Sequence, residues 1–337
     1  YVVVLPILAA AFFLFLIFVL YFSIPSKRQF ELEKKHAVVT GGSKGIGREL
    51  ARSLLSRGCH VSIIARNEND LRKTAEELQN FADSLGDSQR VCWFSLDLTG
   101  PFEKVAEVLS AAERELGPIE VLINNAGNSV QESFEKLPIG DFEMQMKVNY
   151  LSAVYATRAV IPGMQSRRSG HISFVSSAAG QCGIFGYSAY APAKFALRGF
   201  ADVLHMELLP YKIGISVLYP PNTDTEGFKE ELLTMPEELM IISDSAGLVT
   251  PKEVAERHVE DIMSGEYATT IGLEGWMLGV LTAGAAPEKN AFRAVTQSLL
   301  AGVLRFVMLL YIGRFNGVVK RCHRQRQAEA EARTRSE

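Results

Sequence analysis

Hydrophobic positions along this chain fall into two periods. From residue 36 onward, short apolar runs are separated by stretches in which apolar residues return every third or fourth position. The runs "HAVVT", "HVSIIAR", "RVCWFSLDL", "IEVLINNAG", "GHISFVSS" and "IGISVLYPPN" predict strands. The stretches "IGRELARSLLSRG", "ENDLRKTAEELQNFAD", "PFEKVAEVLSAAERELG", "FEMQMKVNYLSAVYATRAVIPGMQ" and "SAYAPAKFALRGFADVLHMELLP" predict helices. Strand alternating with helix implies an α/β fold, a parallel sheet covered by helices on both faces. Runs rich in Val and Ile fit strands buried on both sides.

Both ends depart from this alternation. Residues 1–22 carry no charge, about the length of helix that crosses a bilayer. A transmembrane anchor is expected over residues 1–24, with Tyr1, Tyr21 and Phe22 at the interfaces. A cleaved signal peptide would need a shorter apolar core and a small-residue cleavage site, and none is seen near residue 22. The chain opens on Tyr1 and not Met, so its true start is expected to lie upstream. A linker over 25–35 carries Lys27, Arg28, Lys34 and Lys35, diluted by Glu31 and Glu33. Basic residues beside a span stay in the cytosol, which places the body, residues 36–275, on the cytosolic side. Absence of an N-x-S/T sequon is compatible with that side.

Residues 276–319 are apolar with little periodicity, and 320–337 form a charged tail. "LLAGVLRFVMLLYIG", residues 299–313, is too short to span and holds Arg305 at its centre. Lys320, Arg321, Arg324 and Arg326 follow and resist translocation. The segment is expected to dip into or lie on the cytosolic leaflet, where it admits a long acyl chain. A second span and a helix packed on the core are the alternatives.

Composition narrows the classes. The chain has 337 residues, 47% hydrophobic and 22% charged, with a net charge of -3. No general basic field exists, so nucleic acid is not an expected partner. Cys59, Cys92, Cys182 and Cys322 form no CxxC pair, and the six histidines show no paired spacing. Four free thiols in a reducing compartment are expected, and no metal centre.

The candidate chemistry begins at "TGGSKGIG", residues 40–47, between a predicted strand and a predicted helix. That context suits a nucleotide-binding loop in a Rossmann-type, doubly wound sheet. Gly41 permits a tight turn, Gly45 lets backbone approach a phosphate, and Gly47 lets the helix pack close. A pyrophosphate would sit on the helix N-terminus, where free N–H groups and the dipole favour an anion. A purely structural turn remains the alternative.

The spacing GxxxGxG resembles that of the short-chain dehydrogenase/reductase family, and further motifs carry the likeness. "YAPAK" gives Tyr190 and Lys194, and Ser177 precedes Tyr190 by thirteen positions. Asn124, Asn125, Ala126 and Gly127 match the family's NNAG motif, and Asn149 its helical Asn. Asp97 matches an acidic residue that contacts adenine. Tyr187 is a decoy, because Ala191 follows it by four. Pro192 departs from the usual residue type and is tolerable in a first helical turn.

The resemblance implies that Ser177, Tyr190, Lys194 and Asn149 are catalytic. It also implies cofactor contacts from Gly41, Ser43, Lys44, Gly45, Ile46, Gly47, Arg66, Asp97, Leu98, Asn125, Ala126, Gly127, Tyr190, Lys194, Pro220, Thr223 and Thr225. Tyr190 and Lys194, four apart, share a helix face. The ammonium is expected to lower the phenol's pKa, so that Tyr190 passes a proton to a reduced carbonyl oxygen. Ser177 would hydrogen-bond that oxygen, and Asn149 would position Lys194 through water. Arg66 ends the second strand where an NAD-specific site places a carboxylate. With Lys44 it favours the 2′-phosphate of NADPH, unless Arg66 merely faces solvent.

"YPPNTDTEGF", residues 219–228, resembles the branch of this family that reduces long-chain keto-sphingoid lipids. The likeness implies NADPH, a membrane-lipid setting and the cytosolic face of the endoplasmic reticulum. Family members often pair through two long helices, here about 141–165 and 188–209, which implies a homo-oligomer. A membrane-anchored hydroxysteroid or retinol dehydrogenase and a non-catalytic NADPH-binding scaffold are the competing readings.

Overall fold

The computed structural model describes residues 4–23, 28–86, 88–244 and 247–336. Tyr1, Lys27 and the side chain of Tyr21 lie outside the described residues. After helix α1 (Val4–Ser23), strands and helices alternate as β1 (His36–Thr40), α2 (Gly45–Leu55), β2 (His60–Ala65), α3 (Glu68–Ser84), β3 (Val91–Ser95), α4 (Phe102–Leu116) and β4 (Ile119–Asn124). Then come α5 (Ile139–Met146), α6 (Ser152–Arg167), β5 (Gly170–Val175), α7 (Tyr190–Leu208) and β6 (Ile213–Tyr219). The last elements are α8 (Glu226–Leu232), α9 (Glu237–Ser243), α10 (Pro251–Met263), β7 (Ala268–Thr270), α11 (Gly272–Leu281) and α12 (Ala291–Ser336).

Seven strands form one sheet in the order β3-β2-β1-β4-β5-β6-β7, and every pairing is parallel. The order reverses between β1 and β4, and a crevice opens there at the carboxyl ends of the strands. Side-chain alternation along each strand feeds two cores. Val39, Val61, Ile63, Val121 and Ile123 meet α2, α3 and α10 on one face. Val38, Ile64, Leu122, Ile172 and Phe174 meet α4, α6 and α7 on the other. This is the doubly wound arrangement that the alternating pattern predicts.

Helix starts follow local chemistry. Asn67 caps α3 by accepting from the backbone N–H groups of Asn69 and Asp70, at 3.0 and 3.2 Å. Thr250 caps α10 ahead of Pro251. The single long helix expected after β4 is interrupted: α5 and α6 are joined by a π-helical turn, Lys147–Leu151, centred on Asn149. β7 carries no period in the sequence because it is only three residues long.

At the carboxyl end the apolar run 299–313 is part of one unbroken helix, α12, of 46 residues. Among the described residues α12 is the helix long and apolar enough to cross a membrane, by length and composition. α1 is a helix of 20 uncharged residues with Pro6–Val19 as an apolar stretch, whereas the expected shortness of residues 299–313 does not limit α12. The physical reason is that "LLAGVLRFVMLLYIG" is continued by helix on both sides. Lower down, Val318 and Cys322 bury themselves against Ile242 of α9. Arg326 is ion-paired with Glu238.

Candidate active site

The glycine loop lies where the fold opens. Gly41 and Gly45 have φ of +64° and +52°, backbone that a side chain would strain. A Cβ on Gly47 would come within 2.1 Å of the Gly41 carbonyl oxygen, so the first turn of α2 is folded hard onto the loop. An anion already occupies this helix start. A Cβ on Gly45 would meet Glu226 Oε2 at 3.9 Å, and Glu226 Oε1 lies 3.3 Å from Arg48 Nη2. The residues present therefore fit a phosphate-bearing cofactor.

Asn125 and Thr40 clamp the loop in place. Asn125 Nδ2 donates to the carbonyls of Thr40 and Gly41 at 3.0 and 3.1 Å. The Asn125 and Ala126 N–H groups both donate to Thr40 Oγ1 at 3.0 Å. Asn125 thus spends its side chain on the loop backbone. Ser43 offers its carbonyl to Thr74 Oγ1 at 2.8 Å, tying the loop to α3. Asp97, at the end of β3, accepts from the Thr99 N–H and hydroxyl at 2.9 and 2.8 Å. The Thr99 backbone N–H holds its carboxyl below the usual range. Leu98 beside it is buried.

Two cations were expected near the adenosine ribose, and they differ. Arg66 is exposed at the end of β2. Lys44 instead pairs with Asp70 of α3 at 2.7 Å, and that hydrogen bond raises its pKa.

Ser177, Tyr190, Lys194 and Asn149 converge although they come from three elements. Ser177 follows β5, caps a short 3₁₀ turn by accepting from Ala179 N–H at 3.1 Å, and faces the Tyr190 phenol within hydrogen-bonding reach. Lys194 is buried, donates to the Val175 carbonyl at 3.0 Å, and lies 5.6 Å from the centroid of the Tyr190 ring. A Cβ on Gly127 would meet Asn149 Oδ1 at 2.5 Å and Lys194 Nζ at 3.2 Å, so both polar ends face the same glycine. Asn149 Nδ2 donates to the Asn128 carbonyl at 2.9 Å and to Gln145, while its buried Oδ1 has no partner among the described residues. Pro192 sits in the first turn of α7, where it costs no hydrogen bond.

The electrostatics correct one expectation. Burial holds the Tyr190 phenol well above its ordinary range, and the Ser177 hydrogen bond only partly offsets this. Lys194 does not win here, because burial also pulls its own pKa down to about 8. Tyr190 therefore stands as a neutral phenol, the protonation state of a proton donor. Tyr187, the sequence decoy, packs its ring 5.2 Å from that of Tyr190 and lines the same cavity.

That cavity has a volume of about 810 Å³. Its lining includes Ile46, Gly127, Pro220, Thr223 and Thr225, expected as cofactor contacts, together with Ser177 and Tyr190. Leu278 and Leu281 of α11 and Leu304, Val307, Met308 and Tyr311 of α12 form an apolar wall. Glu231, Gln131 and Ser129 form a polar wall. Sequence reasoning missed this polar group, because it comes from an irregular loop and a helix of seven residues, neither with a period to read. The four cysteines are free thiols.

Known proteins carry the same pattern. The family described as short chain dehydrogenase matches residues 35–235. A 3-dehydrosphinganine reductase from Danio rerio is 41% identical, covering 95% of this chain and 97% of that protein. A 3-ketodihydrosphingosine reductase from Bos taurus is 40% identical, over 95% and 96%. One of that name from Dictyostelium discoideum is 36% identical, over 88% and 91%. A solved structure titled short chain dehydrogenase/reductase family protein superposes with a TM-score of 0.58, covering 70% of this chain and 92% of its own, at 24% identity. That last likeness shows the fold.

Proposed function

The chain belongs to the short-chain dehydrogenase family and is an oxidoreductase that works with a nicotinamide cofactor, and we propose that it reduces 3-ketodihydrosphingosine to dihydrosphingosine with NADPH. The observation that carries this reading is the cavity. Its reacting end holds Ser177 and Tyr190, and its far wall is built from apolar residues of α11 and α12. A substrate with a polar keto head and a long alkyl tail matches that division. The relatives' names point to the same substrate.

NADPH would be held by the loop Gly41, Ser43, Lys44, Gly45, Ile46 and Gly47, with Arg66 toward a 2′-phosphate. Asp97 and Leu98 would flank the adenine, and Asn125, Ala126, Gly127, Pro220, Thr223 and Thr225 would line the rest. When bound, the cofactor supplies hydride to the keto carbon. Ser177 hydrogen-bonds the keto oxygen and fixes its position. Tyr190 gives that oxygen its phenolic proton as the alcohol forms. Lys194 holds the ribose and stabilises the tyrosinate left behind, and Asn149 orients Lys194 from across Gly127.

We place the protein at the cytosolic face of the endoplasmic reticulum, held by α1 and α12. The described side chains of α1 face outward, and α12 exposes Leu299, Val303, Phe306 and Leu310. Phe195, Val203 and Met206 stand exposed on α7, which supports pairing of two copies through that helix. Purified protein with NADPH should reduce 3-ketodihydrosphingosine in preference to a steroid ketone or retinal. Tyr190→Phe should lower the rate by about 10²–10⁴-fold with cofactor binding intact. Near-normal turnover by that variant would end the mechanism.

A further inference from the structure

Glu231 is a carboxylate on the wall of a catalytic cavity with no ion-pair partner among the described residues. It stands on α8, half-buried, and accepts from Gln131 Nε2 at 2.9 Å, which also donates to Ser129 Oγ at 3.0 Å. Among the described residues no Lys or Arg lies within ion-pair distance of it. Its charge nevertheless reaches the reacting groups, being felt by Tyr187, Tyr190 and Lys194. Burial raises its pKa, and its hydrogen bonds and the more distant Lys194 charge only partly offset this. Such a group is costly, and a bound cation would offset the cost. Beside it Gln131 is only 7% exposed, and its Oε1 accepts no hydrogen bond from the described residues. Glu230 and Glu274 also line the cavity, but both are exposed to water and have no such setting.

We propose that Glu231, with Gln131 and Ser129, is the recognition site for the ammonium group of the substrate. The assignment rests on the reading of the substrate as a 2-amino-3-keto lipid. In that molecule the amine is bonded to the carbon next to the ketone. A substrate whose ketone meets Tyr190 and Ser177 therefore brings its cation to the neighbouring wall. Glu231 accepts from the ammonium, and Gln131 Oε1 offers a second acceptor. Selection is for an amino-ketone, where the apolar wall alone would take any long-chain ketone.

The test compares two substrates on the NADPH-loaded full chain: 3-ketodihydrosphingosine and a ketone of equal length lacking the amine. Glu231→Gln should lower kcat/KM for the amino-ketone by roughly ten- to a hundredfold, the loss of one charge-assisted contact. The amine-free ketone should change by less than about threefold, on the view that it never used that contact. Glu107→Gln, exposed on α4 and outside the cavity, should leave both substrates near wild type. Equal losses on the two ketones, or no loss on either, would overturn the assignment while leaving the proposed reaction intact. If Glu231→Gln does not fold, wild type decides the matter: octadecylamine should inhibit far better than octadecanol, and equal inhibition overturns the proposal. Wild type that reduces a steroid ketone but not 3-ketodihydrosphingosine would instead defeat the reading of the substrate.

Discussion

The ammonium of Lys194 donates to the carbonyl of Val175 at 3.0 Å, fixing the end of β5 to the first turns of α7. Tyr190 precedes Lys194 by one helical turn and Ser177 follows Val175 by two residues, so one contact sets the spacing of all three. It holds a cation in a place where only 4% of the residue is exposed.

That burial has a pH signature. Burial pulls the Lys194 ammonium down from its ordinary 10.5 to about 8 in the folded protein. Between those values the unfolded chain binds more protons, so the folded state gains stability as pH rises through the window. Below pH 8 the penalty is fully present, on the order of 3 kcal/mol before the lost Val175 contact is subtracted. Lys194→Met should therefore melt higher than wild type at pH 7 without cofactor, with the advantage shrinking toward pH 10. Cofactor binding should weaken in the same variant. A melting difference independent of pH would show that Lys194 is not desolvated.

Glu226 competes for the anion site at the start of α2. Its carboxylate faces Gly45 and pairs with Arg48. A cofactor pyrophosphate must displace it, so Glu226→Gln should tighten NADPH binding by about two- to fivefold, the value of one helix-terminus charge. Titration by cofactor fluorescence reads this directly, and weaker binding would mean that Glu226 helps to shape the site.

Arg66 and Lys44 can be separated. Lys44 is committed to Asp70, whereas Arg66 stands exposed at the end of β2. Arg66→Asp should shift the NADPH/NADH ratio of kcat/KM by at least about tenfold toward NADH. Lys44→Ala should move it less. The reverse order would show that Lys44 leaves Asp70 to meet the 2′-phosphate.

The α12 wall should set chain-length selectivity. Met308→Trp fills the apolar end of the cavity and should raise KM for a long-chain ketone by about tenfold, in line with the cost of rejecting a few methylenes. A short-chain analogue that stays near the reacting end should be almost unaffected. Equal effects on both would place the tail elsewhere.

Much of this was legible beforehand, and the reason differs by element. The predicted strand "HAVVT" coincides with β1, and the glycine loop and Tyr190–Lys194 pair lie where the pattern put them, because period and spacing are local properties. The π-helical turn around Asn149 was not legible, since one inserted residue barely disturbs helical periodicity. The pairing of Lys44 with Asp70 was not legible, because Asp70 belongs to another helix and nothing local announces that pair. The raised pKa of Tyr190 was missed for a similar reason: a neighbouring cation is visible in the motif, but desolvation belongs to the assembled cavity. Glu231 and Gln131, a hundred residues apart, meet only through the fold.

α12 has two apolar sides with different owners. Leu304, Val307, Met308 and Tyr311 belong to the cavity, while Leu299, Val303, Phe306 and Leu310 face away from the protein. With those outer residues in lipid, as proposed, the helix becomes a partition one side chain thick between a bilayer and the reacting groups. The rate would then follow the mole fraction of substrate within the membrane and not its amount per volume of solution. Diluting the membrane with inert lipid at fixed enzyme and substrate would slow such an enzyme, whereas adding buffer would not.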